Sequence, residues 1–251
     1  MSLAFTAGSS TGMSYPAAWT LALPFTVGMW VYPTTTGTQR YIYNQADNVS
    51  ITDGRLGLLQ DTADVWGIEA FDGTTEDIAT AGTVVANQWT FLIGRFISSS
   101  NRRLSVQPFS GTPVHAQGTT AITPGGSLVT YLANTQIDGT PSSFFSGYIA
   151  EVWFVRADIQ ADGAQLQNTT LWQLAFGGPL SMPHIAKDLF SYQSFSLGPS
   201  VTNTKGYTNS ENYIPKGDFV WNISTAVTTA PHPPLPYWYV KPGQNKELLV
   251  V

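Results

Sequence analysis

One segment constrains the fold more than any other: Gly147-Tyr148-Ile149-Ala150-Glu151-Val152-Trp153-Phe154-Val155-Arg156-Ala157-Asp158-Ile159. Residues of one parity (Tyr148, Ala150, Val152, Phe154) and of the other (Ile149, Glu151, Trp153, Val155) are both largely apolar. A strand with that pattern needs cover on both faces, so it belongs in the middle of a sheet inside a sandwich. A polar turn and a short helix signal follow directly.

Other stretches repeat the strand pattern. Phe25 to Tyr32 alternates strictly, with Phe25, Val27, Met29 and Val31 on one face, and stops at Pro33 followed by Thr34, Thr35, Thr36 and Gly37. Residues 40–45, 54–60, 65–71, 88–97 and 103–109 read the same way, each bounded by Gly, Asp, Asn, Ser or Pro clusters. Helical spacing appears after Asn168, which can cap Thr169 to Phe176, a segment carrying Leu171, Leu174 and Ala175; Gly177-Gly178-Pro179 ends it. The expected fold is therefore all-β, an antiparallel β-sandwich over residues 1–178 with one short helix, followed by an irregular Pro-rich extension over 179–251.

Charge and composition exclude several functions. A net charge of −5 on 251 residues leaves no basic stripe for phosphate neutralisation, so nucleic acid is not the expected partner. The adjacent pair Arg102-Arg103, preceded by Ser98-Ser99-Ser100-Asn101, reads as a hairpin tip. No window reaches the ~18 apolar residues of a membrane span, and the N-terminus lacks the basic and apolar regions of a signal peptide. With no cysteine, disulfides and thiolate metal sites are excluded. Charged residues make up only 11% of the chain, which suits a protein working outside the cytosol or in a permanent assembly.

Candidate chemistry is sparse. Asp61, Asp64, Glu69, Asp72, Glu76 and Asp77 crowd one stretch with no Lys or Arg from Leu56 to Gly94. Such acids could hold calcium, although no twelve-residue EF-type loop is present, or they form a solvated strand and loop. His115, His184 and His232 belong to no nucleophile or zinc motif. Aromatic residues make up 13% of the chain, and a sugar-binding surface would use exposed rings to stack on pyranoses while Asp or Asn binds hydroxyls. Trp66, Phe71 and Asp72 are the candidates for glycan contact. The competing reading puts Trp66, Ile68 and Ala70 on one buried sandwich face.

In order and spacing, Leu3-Ala4-Phe5, the Phe25 to Tyr32 strand, Asn87-Gln88-Trp89-Thr90-Phe91 and the Gly147 to Ile159 element resemble the laminin-G/pentraxin group of concanavalin A-like jelly rolls. That scaffold serves sugar-binding, adhesive, catalytic and structural proteins. Its glycoside hydrolases place acids in a Glu-x-Asp-x-(x)-Glu run so that carboxylates about 5 to 5.5 Å apart face one cleft. No such run occurs here, so the chain is expected not to be an enzyme.

The final third departs from the family pattern. Between Pro231 and Pro242 five prolines in twelve positions enforce an extended arm. The aromatics Tyr237, Trp238 and Tyr239 need a dock, either on the chain's own sandwich or on a neighbour, and Leu248-Leu249-Val250-Val251 can add a strand to a sheet edge. The jelly roll followed by His232-Pro233-Pro234-Leu235-Pro236-Tyr237-Trp238-Tyr239 is similar to laminin-G-like proteins encoded among bacteriophage structural genes. That resemblance implies a virion protein that decorates or cements the capsid surface. It would contact the major capsid protein or further copies of itself through Pro233, Pro234, Tyr237, Trp238, Tyr239 and Leu249, with tail placement as a variant. A lectin-like adhesion module recognising surface glycans is the alternative.

Overall fold

A computed structural model describes residues 2–9, 12–14, 22–47, 54–125, 128–137, 140–160, 163–186, 188–193, 222–223 and 228–230. The strands are β1 (Ser2–Phe5), β2 (Met13–Ser14), β3 (Phe25–Pro33), β4 (Arg40–Asp47), β5 (Arg55–Gln60), β6 (Val65–Phe71), β7 (Glu76–Thr83), β8 (Thr90–Ser98), β9 (Asn101–Pro108), β10 (Val114–Gly118), β11 (Leu128–Leu132), β12 (Thr135–Ile137), β13 (Thr140–Ser142), β14 (Gly147–Val155), β15 (Leu189–Gln193), β16 (Asn222–Ile223) and β17 (Thr228–Ala230). Two helices, α1 (Asn168–Gly177) and α2 (Pro183–Ala186), follow β14.

Apart from the small antiparallel pair β12-β13, the strands form two antiparallel sheets packed face to face. One runs β10-β9-β8-β3-β14-β1-β17, with β15 also pairing β14, and the other runs β16-β2-β11-β4-β5-β6-β7. This is the expected β-sandwich. Between the sheets lies a core of Phe25, Val27, Met29 and Val31 from β3 against Ile42, Leu58, Trp66, Ile68 and Ala70. The alternation read from β3 is what places those four side chains inward.

A second apolar layer explains why β14 is buried on both sides. The outer face of the first sheet presents Trp30, Phe91, Trp153 and Val155, and α1 covers them with Leu171, Leu174 and Phe176. Fully burying each such side chain contributes about 1.5–3 kcal/mol, enough for a ten-residue helix that would not persist alone. Register shifts between Ala150 and Trp153, where Glu151 adopts φ 52°. The bulge inserts one residue and reverses parity, so Ile149, Val152 and Phe154 face the inter-sheet core while Ala150, Trp153 and Val155 face α1. The simple alternation expected from the sequence therefore fails in the second half of this strand. At its start, Gly147 has φ 151°, and a Cβ there would sit 2.1 Å from the Tyr32 carbonyl oxygen. Only glycine meets both conditions.

Three other expectations change. Asn168 does not cap α1: the N-cap is Gln167, without a side-chain cap bond, and the Asn168 amide is engaged by His115 instead. The hairpin tip is present, with Ser98 opposite Asn101 across the β8–β9 turn, but Arg102 does not project from it. It is 1% exposed and reaches back to the Asp77 carboxylate and the carbonyls of Ser99 and Thr120. The sandwich also does not end at residue 178, because β15, β16 and β17 join both sheets. Residues 231–251, and with them Pro233, Pro234, Tyr237, Trp238, Tyr239 and Leu249, lie outside the described residues. Among the described residues no helix is long and apolar enough to cross a membrane.

Candidate functional site

The residues singled out for glycan contact do not form one surface. Trp66 is 0% exposed and sits in the inter-sheet core with Ile68 and Ala70, so its ring cannot meet a sugar. The period-2 pattern that places Ile68 and Ala70 inward carries Trp66 with them. Phe71 has the opposite parity and is half-buried, but the Arg55 guanidinium lies 4.2 Å from its ring centroid. Cation–π contact thus occupies one face of the ring. Asp72 is committed to its own turn, where one carboxylate oxygen accepts from the backbone N–H groups of Thr74 (3.0 Å) and Thr75 (2.8 Å). Those bonds hold its carboxyl below the usual range.

The acidic stretch around these residues has an internal explanation. The Glu69 carboxylate, fully buried on the outer face of the second sheet, accepts from Arg55 Nε at 2.7 Å, and Arg55 Nη2 reaches Glu76 at 2.8 Å. Burial, opposed by the Arg55 charge, pushes the Glu69 carboxyl up to about 8 and raises the Tyr41 phenol beside it. Asp77 pairs with Arg102, and Asp64 accepts from the Gly37 N–H. Among the described residues, no three His, Cys, Asp or Glu side chains gather where they could hold a metal ion.

A more suitable surface lies beside α1. The strand end at Gln107 and Phe109, the loop at Gly111 and Pro113, and the helix residues Asn168, Trp172 and Phe176 enclose a cleft of about 480 Å³. Two of its rings reach solvent, Trp172 at 47% and Phe109 at 40% exposure. Neither is loose. Trp172 packs on Phe176 at 5.2 Å between centroids, Phe109 meets Phe176 edge-on at 6.1 Å, and Phe176 and Phe109 rest on buried Trp30 through contacts of 5.5 and 6.2 Å. Gln107 donates to the carbonyls of Pro108 (2.7 Å) and Gly111 (3.2 Å), which pins the loop below Phe109. Every cleft side chain is uncharged. Preset aromatic planes beside amides and a hydroxyl are what a pyranose requires: ring C–H faces stack on the π system and hydroxyls bond the amides.

Residues 7–162 match the family described as the concanavalin A-like lectin/glucanases superfamily. The chain belongs to that superfamily. No curated protein matches it. Among solved structures, this superfamily member is similar to full-length tailspike protein 2 of Escherichia coli O157:H7 bacteriophage CAB120 (14% identity, 75% of this chain and 26% of the tailspike, TM-score 0.53). It is also similar to a Bacteroides ovatus protein described as carbohydrate-binding (12% identity, 92% of this chain and 60% of that one, TM-score 0.53). A third is the CBM40 domain of Ruminococcus gnavus IT-sialidase bound to sialyllactose (13% identity, 61% and 90%, TM-score 0.48). The chain thus spans about a quarter of the tailspike and three fifths of the B. ovatus protein, and identities this low establish the shared sandwich alone.

Reading the superfamily sandwich from its sequence missed Phe109, Trp172 and their amide neighbours. Trp172 follows Leu171 in the helix and looks like one more apolar residue. Helical spacing carried no signal either, because at about 100° per residue Trp172 falls between the buried Ala175 and Phe176 on the helix circumference.

Proposed function

We propose that this chain is a non-catalytic carbohydrate-binding sandwich of a bacteriophage particle, with the cleft between Trp172 and Phe109 as its glycan-contacting surface. One observation carries the proposal: two half-exposed rings, held rigid by Trp30 and Phe176, flank a cleft lined by uncharged amide and hydroxyl groups. Prior ordering of the rings lowers the entropy cost of binding. The fold shared with a protein described as carbohydrate-binding supports the glycan reading, and the fold shared with a phage tailspike supports the particle. The expected result is saturable binding on a glycan array by the full chain, lost in a Trp172→Ala/Phe109→Ala variant whose thermal unfolding matches the parent. Absence of binding across the array would refute the assignment.

A capsid-decoration or cement role is the second reading, favoured by the path of the chain. β17 pairs with β1 at an edge of the first sheet and ends at Ala230, the residue that precedes the Pro-rich segment in the sequence. Contacts to a major capsid protein or to a second copy through Trp238, Tyr239 and Leu249 belong to this reading. Light scattering on the full chain and on a version ending at Ala230 tests it. An oligomer that becomes a folded monomer on truncation supports an assembly arm, and two identical monomers speak against self-assembly through it.

A further inference from the structure

The aromatic cleft continues into a second, charged compartment. Along β9 the outward residues are Arg103, Ser105, Gln107 and, just beyond the strand, Phe109. Gln107 and Phe109 line the cleft, while Arg103 and Ser105 line a neighbouring cavity of about 140 Å³ with His115, Gln117 and Gln165. His115 joins the two: its Nδ1 lies 2.9 Å from Ser105 Oγ, and its Nε2 lies 3.1 Å from Oδ1 of Asn168 in the cleft wall. From Gln107 to Arg103 the strand covers about 13 Å, more than one sugar unit.

The charge in this cavity is unbalanced. Arg95 and Arg103 stand directly opposite each other on β8 and β9. Arg95 is neutralised, since its guanidinium meets Asp158 at 2.6 Å and donates to the Ala164 carbonyl at 2.6 Å. Arg103 has no acidic partner among the described residues, and its Nε is buried without a hydrogen bond. A buried, unpaired guanidinium nitrogen facing another arginine is costly unless an anion completes it. Arg55, Arg95 and Arg102 each have a carboxylate, and Arg40, which has none among the described residues, donates to the Phe144 carbonyl at 2.8 Å and to Ser146 Oγ at 3.3 Å.

We infer that the glycan is anionic: one pyranose stacks between Trp172 and Phe109, and an oxyanion substituent further along the chain pairs with Arg103 beside His115, Gln117 and Gln165. This inference rests on the proposed carbohydrate-binding function. Carboxylate, sulfate and phosphate share the chemistry, and the nearest acid of the 61–77 stretch, Asp77, is already paired with Arg102.

The test places the full chain, Arg103→Gln, Arg103→Lys and Trp172→Ala on an array holding neutral glycans together with uronic-acid, sulfated and phosphorylated ones. The expected result is preference for one acidic class, reduced about tenfold or more in Arg103→Gln. Arg103→Lys should recover part of it, and Trp172→Ala should lose all binding. Neutral glycans bound by the parent and unaffected by Arg103→Gln would overturn the anionic ligand while leaving the carbohydrate function standing. No binding to any glycan would remove both. In parallel, the Arg103 Nε–H resonance is followed during titration with sodium sulfate and with sodium phosphate. A saturable shift with either salt, without any glycan binding, would make this a free-oxyanion site and overturn the inference.

Discussion

The indole Nε1–H of Trp30 donates a 2.8 Å hydrogen bond to the carbonyl oxygen of Ala175. This one bond fastens the last turn of α1 to the middle of the first sheet, where a helix carbonyl would otherwise lack a partner. Phe109, Phe176 and, through Phe176, Trp172 are stacked around the same indole. The surface of the cleft is thus set by a buried residue from a strand formed about 140 positions earlier in the chain.

Replacing Trp30 with Phe keeps most of the apolar volume and leaves the Ala175 oxygen buried without its donor. We expect a loss of about 1–3 kcal/mol in urea unfolding and a larger proportional loss of glycan affinity, because Trp172 and Phe109 lose their common support. Affinity that stays at the parent level would show that the rings are positioned independently of Trp30.

Arg95 is 0% exposed, and its charge is compensated by Asp158, which is 13% exposed. An Asp158→Ala variant leaves a buried guanidinium without a counter-charge. The expected cost is about 3–5 kcal/mol, accompanied by faster hydrogen exchange in the 157–164 loop that Arg95 ties to the sheet. A double variant, Arg95→Met/Asp158→Ala, should recover much of that stability.

Glu69 gives a pH signature. Its folded pKa, near 8, lies above its unfolded value, near 4.5, so the folded state binds the extra proton between those limits. Stability should therefore fall as pH rises from about 5 to about 8, on top of any other titrations. Glu69→Gln keeps an oxygen for Arg55 and removes the proton, so its unfolding free energy should lose this slope. Parallel pH profiles for parent and variant would contradict the assignment.

Trp66→Ala separates the buried reading from the sugar-stacking one. Removing a fully buried indole from the inter-sheet core should cost about 3–5 kcal/mol. Glycan binding of the fraction that remains folded should be unchanged. A selective loss of binding at parental stability would restore Trp66 as a contact residue.

Much of the sandwich was legible in the chain because period-2 alternation records which side faces a core. β3, β5, β6, β8 and β9 follow that rule closely enough to be placed within a few residues. β7 and β10 were not seen, since strands such as Glu76-Asp77-Ile78-Ala79-Thr80 lie at sheet edges and stay half exposed, which weakens their alternation. The acidic stretch suggested an ion site because its partners, Arg55 and Arg102, act across strands and local sequence does not pair them.

By itself, the sequence determined the all-β class, the two-sided burial of Gly147 to Val155, and the absence of a hydrolase-type acid run, because each depends on the types and spacing of neighbouring residues. Tertiary structure alone decided that Trp66 is core and Trp172 is surface, that the Glu151 bulge reverses the faces of β14, and that Arg103 has no acid among the described residues. Each of those depends on what lies across a sheet or beneath a helix. The physical reason is that burial and charge pairing are set by groups far apart in the chain, and a side chain's own neighbours in sequence carry little information about them.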